Sequence, residues 1–318
     1  MGKRVLLVGE SWVSEATHYK GFDSFTSVTF HSGADWYNGA LRSKGHEVEQ
    51  MYAHDVPAKF PHTAAELSKY DVIVLSDIGT NSFLLPIETW LQGKSTPNRL
   101  KLLAEWVENG GALIMAGGYL SFQGFEAKAR FAGSAVERVL PVTCLTHDDR
   151  VEAPEGAQPV IVDANHPVLT GVPAGMPALL GYNKVVLKPG ATLVATVGGD
   201  PLIATAQVGK GRSLVWTSDI GPHWCPEPFV QWNGFAPLDQ RRGQAVILPC
   251  YSRQQARKRC AGSSASPWPD HPCRQPLRRG LPSLISQLMQ RWRCIAGPCV
   301  AKRAHCCACL ILPRAGAG

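Results

Sequence analysis

Residues 112–123, Ala-Leu-Ile-Met-Ala-Gly-Gly-Tyr-Leu-Ser-Phe-Gln, constrain this chain more than any other stretch. Five apolar residues in succession read as a strand buried on both faces. The Gly117-Gly118 pair predicts a sharp turn out of that strand into a helix. Such a turn lifts the next side chain above the sheet edge, where it can meet a ligand. Here the lifted position holds Tyr119, a phenol in place of a thiol or a small hydroxyl.

The residues before it build toward that strand. Val5-Leu6-Leu7-Val8-Gly9 predicts a first parallel strand, followed by a long loop containing Glu10, Ser11, Trp12, His18, Tyr19 and His31. Residues 34–44 read as a helix capped by Ser32 and ended at Gly45. A second strand is expected over 46–51, a short helix over 63–69 and a third strand over 71–76. Asp77-Ile78-Gly79-Thr80 then supplies loop chemistry at a strand's carboxyl end. Thr96-Pro97 opens a helix whose Leu100, Leu103, Trp106 and Val107 recur at helical spacing until Asn109-Gly110-Gly111 stops it. Repeated strand–helix–strand units predict an α/β fold, a flavodoxin-like doubly wound parallel sheet with ligands at the strands' carboxyl ends.

Beyond Phe122 a helical segment is expected to about residue 138, and then a β-rich extension of short strands. These fall at 160–162, 184–187 and 191–195, with a closing pair at 202–208 and 212–217 joined through Gly209-Lys210-Gly211. Asp219 to Trp224 leave the last strand as a loop, and a closing helix starts near Glu227.

Charge divides the chain near residue 239. Residues 241–318 hold 14 of the 32 Lys/Arg and one of the 25 Asp/Glu, whereas residues 1–240 carry a net charge of −6. Cysteines divide likewise, with only Cys144 and Cys225 before the tail and eight from Cys250 to Cys309. The expected organisation is one domain over 1–238 and a basic Cys/Pro/Arg-rich tail over 239–318. The bias of that tail matches an out-of-frame reading of a GC-rich gene, so it reads as non-native and disordered. Its alternative is a genuine basic arm, but Tyr251, Trp268 and Trp292 are too few stacking aromatics for nucleic acid. The tail cysteines lack the paired spacing of a zinc site, and neither metal nor cofactor is expected. Met1-Gly2-Lys3-Arg4 runs straight into a strand and no apolar stretch reaches about 18 residues, which predicts a cytoplasmic protein without a membrane span.

In the order and spacing of its motifs, residues 3–238 resemble the class I glutamine amidotransferase-like superfamily, in particular the glutamine amidotransferase group related to trehalose-utilisation proteins. The resemblance rests on Val5 to Trp12, Leu75 to Gly79, Ala112 to Gln123, His147 to Glu152, and Gly209 to Arg212 leading into Thr217 to Trp224. Working members carry a cysteine in a Gly-x-Cys-x-Gly elbow, a histidine after a late strand and an acid two residues beyond it. Here the elbow reads Gly117-Gly118-Tyr119-Leu120-Ser121, His223 holds the histidine's place, and Cys225 stands where the acid belongs. A phenol with a pKa near 10 is a poor acyl carrier at neutral pH. Glu10 takes the place of a glutamate found in related cysteine-hydrolase branches, and Asp77, Gly79 and Thr80 fall where oxyanion-hole donors can lie.

Topology therefore predicts that Glu10, Tyr119 and His223, the candidate catalytic residues, converge on one pocket. Ser11, Trp12, Asp77, Gly79, Thr80, Gly118 and Trp224 are its candidate ligand contacts. The Tyr119 hydroxyl has two readings, a plug satisfied by Glu10 or His223, or a group for ligand contact or proton transfer. Cys144 reads as a strand-core thiol, and His147-Asp148-Asp149 as an exposed turn in preference to a metal site with His166. Three functions remain open. One is a small-molecule binder, with carbohydrate-derived ligands among the candidates, without glutaminase activity. Another is an amidohydrolase using His223 with Cys225 or an activated water. The last is a non-catalytic partner subunit, and a homo-oligomer is compatible with each.

Overall fold

Alternating apolar residues split the interior into two cores, one on each face of a central sheet. Val5 and Leu7, Val72 and Val74, and Ala112, Ile114 and Ala116 pack on one side. Their neighbours Leu6 and Val8, Ile73 and Leu75, and Leu113 and Met115 pack on the other. The computed structural model describes residues 2–236 and 238; the expectations for the 239–318 tail lie outside the described residues.

In chain order the first part holds β1 (Arg4–Gly9), β2 (Ser11–Lys20), β3 (Asp23–Ser32), α1 (Asp35–Ser43), β4 (Glu47–Met51), α2 (Val56–Lys59), α3 (Ala64–Leu67) and β5 (Val72–Ser76). There follow α4 (Asn81–Leu84), α5 (Ile87–Gln92), α6 (Arg99–Glu108), β6 (Ala112–Ala116), α7 (Ala135–Val139), β7 (Val142–Cys144) and β8 (Arg150–Ala157). The remainder comprises β9 (Pro159–Ile161), β10 (Leu179–Asn183), β11 (Val185–Leu187), β12 (Thr192–Val197), β13 (Asp200–Val208), β14 (Gly211–Trp216) and α8 (Glu227–Val230). The main sheet runs β4-β1-β5-β6-β14-β13-β12-β9. Its first five strands are parallel, and the last three extend it antiparallel. This is the expected doubly wound α/β sheet with its β-rich extension. The strand order reverses between β1 and β5, the kind of switch point where open α/β sheets bind ligands.

Three local expectations are corrected. The segment after β1 is an antiparallel hairpin of two ten-residue strands, β2 and β3, in place of a loop. Both of its faces meet solvent, so no apolar alternation marked it. Ser32 ends β3 instead of capping α1, and its Oγ accepts from Gln50 Nε2 at 3.2 Å. Pro97 precedes α6, whose cap is Asn98, with Oδ1 accepting from the Leu100 and Lys101 N–H groups at 3.1 Å.

The largest correction concerns the elbow. No α-helix follows Gly117-Gly118; residues 118–123 turn and bend, a single 3₁₀ turn spans Phe125–Ala127, and α7 starts only at Ala135. Left-handed backbone at Phe122, Gly124, Glu126, Ala127 and Arg130 breaks any helix there. Carboxylates from the loop before β8 fix this path. Asp149 accepts from the Gln123 and Gly124 N–H groups, each at 2.8 Å, and Asp148 from that of Glu126 at 2.8 Å.

Candidate functional site

Four neighbouring parallel strands, β1, β5, β6 and β14, end on one edge of the sheet. The residues that leave them are Glu10, Asp77, Gly117-Gly118 and, after a short turn, Asp219. Gly118 sits at their meeting point with φ +140°, and a Cβ there would lie 2.9 Å from Asp77 Oδ1 and 3.1 Å from Asp219 Oδ1. Glycine at this position is thus required both by its backbone angle and by the carboxylates pressed against it. The Asn183 side chain clamps it, accepting from Gly118 N–H at 3.0 Å and donating to its carbonyl at 3.2 Å.

Tyr119 leaves the turn toward residues of β8 and the loop after β14. Its hydroxyl donates to Glu152 Oε1 at 3.1 Å, in place of the expected partners Glu10 and His223. The ring meets that of His223 edge-on at 5.0 Å and that of Trp224 at 5.6 Å, and the Arg150 guanidinium lies 4.8 Å from its centre. Partial burial and the bond to Glu152 raise the phenol above its ordinary value, so phenolate is further suppressed.

His223 has a carboxylate partner, but not at the expected place. Cys225 is fully buried in the core cluster that includes Phe229 and Val230. The partner is Asp219, four residues earlier, whose Oδ2 lies 2.9 Å from His223 Nδ1 and also accepts from the Trp224 N–H at 3.1 Å. This bond raises the imidazole above its usual value, against an opposing effect of burial. Trp224 Nε1 donates to Glu152 Oε2 at 2.9 Å, so Glu152 joins Trp224 to Tyr119.

Beneath this wall lie the carboxyls of Glu10 and Asp77. Burial raises Asp77 to about 6, although the Leu120 N–H donates to its Oδ1 at 2.7 Å. Burial first, then Asp219 and Asp77, push Glu10 well above the ordinary carboxylate range, while the bond from Ser76 Oγ at 2.6 Å opposes the rise. A carboxyl with a raised folded-state pKa stabilises the fold fully only below its unfolded-state value, and that contribution is lost as pH rises through the folded one. Glu10→Gln copies the protonated form. It is expected to melt several degrees above the wild type at pH 7, with the gap closing toward pH ~4.3, the ordinary glutamate value. Thermal unfolding from pH 4 to 8 checks this; a variant less stable at pH 7 would contradict it.

The other candidate contacts separate. Ser11 is buried and its Oγ accepts from the Ala53 N–H at 2.8 Å, a structural bond. Trp12 stacks on His31 at 5.2 Å on the hairpin, apart from the Tyr119–His223–Trp224 aromatic cluster. Thr80 is buried and its N–H donates to the Ala129 carbonyl at 2.9 Å. Gly79 lines a cavity of about 580 Å³ beside the elbow, with Leu120, Asn81, Ser82, Lys128 and Arg130. A larger cleft of about 670 Å³ lies at the opposite, amino ends of the strands, around Lys3, Asp71, Ala112 and Arg212.

Three of the backbone donors that could serve a tetrahedral oxyanion are already used. In hydrolases with a comparable elbow, the N–H after the nucleophile serves this purpose. Here Leu120 N–H is bound by Asp77, Gly118 N–H by Asn183 and Thr80 N–H by Ala129. Cys144 is a buried strand thiol as expected, but Asp149 is not exposed: it is buried and holds the elbow loop. His166 Nδ1 accepts from the Val168 N–H at 3.2 Å. Sequence reasoning missed Asp219, Glu152, Arg150 and Asn183. Asp219 left a local signal, its four-residue spacing to His223 within one loop, and Arg150 and Glu152 lie in the His147 to Glu152 motif without their role being legible there.

Comparison with known proteins identifies the family. The family profile described as "Putative glutamine amidotransferase" matches residues 4–241. Two solved structures of Salmonella typhimurium, each described as a cytoplasmic protein, are similar to the chain. One is 44% identical at TM-score 0.74, covering 76% of this chain and 98% of its own. The other is 41% identical at TM-score 0.73, covering 76% and 99%. No protein of curated function matches. No helix among the described residues is long and apolar enough to cross a membrane. On the extent of the family match and the identity of these relatives, the chain belongs to the glutamine amidotransferase-like family.

Proposed function

We propose that this member of the family binds a small, polar, hydroxyl-bearing metabolite and does not hydrolyse glutamine. The observation that carries the reading is the elbow itself. Its nucleophile position is a hydrogen-bonded phenol, and the N–H of the next residue is bound by Asp77. Nothing there resembles a thiolate held by a histidine. What the elbow offers instead suits hydroxyl recognition: the Asp77 and Glu152 carboxylates and the phenol oxygen as acceptors, the exposed His223 imidazole as a further polar partner, and aromatic surface from Tyr119. A cavity of about 580 Å³ lined by Gly79, Leu120, Lys128 and Arg130, outside this set of side chains, adjoins the elbow. A carbohydrate-derived ligand fits these requirements, and the scarcity of cysteines before the tail fits a reducing, cytoplasmic setting.

The test is calorimetric titration of the full chain with a panel of sugars, sugar acids and polyols, repeated with Glu152→Gln and Asp77→Asn. A saturable heat that weakens at least ~10-fold in either variant, about 1.4 kcal/mol, is the expected result. Absence of any saturable member, or affinity unaltered by both substitutions, would contradict the reading.

One observation favours a second reading, hydrolysis by a water near His223 and Glu10. The His223–Asp219 pair is a base-and-orienter arrangement, and with Nδ1 engaged, proton exchange falls to Nε2. Ammonia release from glutamine that His223→Ala abolishes would replace the binding proposal with this one. Full burial of Cys225 argues against a thiol route.

A further inference from the structure

The β2–β3 hairpin is unlike the rest of the described chain. Its strands pair from Ser11↔Ser32 to Lys20↔Asp23 and close through the two-residue turn Gly21-Phe22, with Gly21 at φ +66°. Ten residues per strand extend about 33 Å. Only the root is held: Ser11 is buried, and the Phe30 ring meets Tyr52 at 5.0 Å and His54 at 5.6 Å. Beyond it Tyr19 is 78% exposed, Val28 67% and Phe25 51%, and Phe22 is fully exposed. Phe25 and Val28 fall on opposite faces, so each face carries apolar surface.

A two-stranded hairpin by itself is marginal in water, and long open edges bearing apolar side chains invite pairing with another chain. We infer that this arm is the contact through which two copies of the chain associate, arm against arm. Charge supports a second copy over a charged partner. Between Trp12 and His31 the only Lys, Arg, Asp or Glu residues are Glu15, Lys20 and Asp23, and Lys20 sits opposite Asp23. A patch that contacts its own image brings charges near the two-fold axis against their like, so a nearly neutral patch suits a second copy better than a charged partner. Size supports it as well. Clasped arms bury both faces, and the five exposed aromatics, Trp12 and Phe25 on one face, Tyr19 and Phe30 on the other and Phe22 in the turn, offer roughly 100 Å² each, against about 800 Å² per partner in a standard interface. Strand backbone and Val13 and Val28 supply much of the remainder.

Light scattering coupled to size exclusion, run on the full chain over a wide concentration range, tests this inference independently of the ligand proposal. The expected mass is that of two chains. Two variants should reduce it to one chain: Phe25→Glu with Val28→Glu, and a shortened arm in which residues 13–30 become Asn-Gly beneath the Trp12–His31 pair. Both should keep the wild-type circular dichroism, since the altered residues lie outside the two cores. A wild-type monomer at every concentration would overturn the inference, and so would a dimer that survives either folded variant.

Discussion

Replacing Arg99 by leucine is expected to destabilise the protein by about 3–5 kcal/mol. Arg99 is fully buried at the start of α6, and no carboxylate ion-pairs with it among the described residues. Its guanidinium instead serves backbone carbonyls: Nε donates to Phe83 at 2.7 Å, Nη1 to Val56 at 3.0 Å and Phe60 at 3.3 Å, and Nη2 to Ser82 at 3.0 Å. Burial lowers its pKa only to about 10, so the group stays charged at neutral pH. Leucine would leave these carbonyls without their donor in an interior that cannot hydrate them. Lysine, a point charge without the planar fork, should recover less than half of the loss. Urea denaturation checks both, and a leucine variant within ~1 kcal/mol of wild type would contradict this role. The consequence reaches the site, because α4 ends the loop that carries Asp77, Gly79 and Thr80.

The second large effect is expected at Asp149. Alanine there should cost about 3–5 kcal/mol, since one buried carboxylate accepts from Gln123 N–H, Gly124 N–H and Asn183 Nδ2, each at 2.8 Å. Asparagine is no remedy: turned toward either backbone donor, its amide nitrogen would face another N–H. Because Asn183 in turn clamps Gly118, the change should loosen the elbow as well as the fold. Amide exchange is expected to accelerate over residues 117–131 more than in β1 or β5. Equal acceleration throughout would mean that Asp149 supports the fold without shaping the elbow.

Legibility in the sequence depended on where each constraint is stored. The apolar runs at 5–8, 72–75 and 112–116 are buried on both faces and announce themselves locally. The hairpin was invisible because it buries neither face, so its strands carry no periodic signal. The helix expected after Tyr119 fails because its backbone donors are taken by Asp148 and Asp149, more than twenty residues away. Glu10, Asp77 and Gly118 were legible because parallel strands deliver their succeeding residues to one edge. Asp219, Glu152 and Asn183 were not. The first departs from the spacing the resemblance implied, and the other two arrive through the β8–β10 pairing, in which Glu152 faces Gly181 and Asn183 faces Arg150. Tyr119 was read at the right place but with the wrong partner for the same reason.

The central claim is that a bound phenol has replaced the acyl-accepting thiol at the elbow. Intact-mass analysis of the full chain after incubation with a glutamine-directed diazoketone or chloroketone tests it most directly. The expected result is no adduct that excess glutamine prevents. One glutamine-protected adduct per chain, mapping to the Tyr119 or Cys225 peptide, would contradict it.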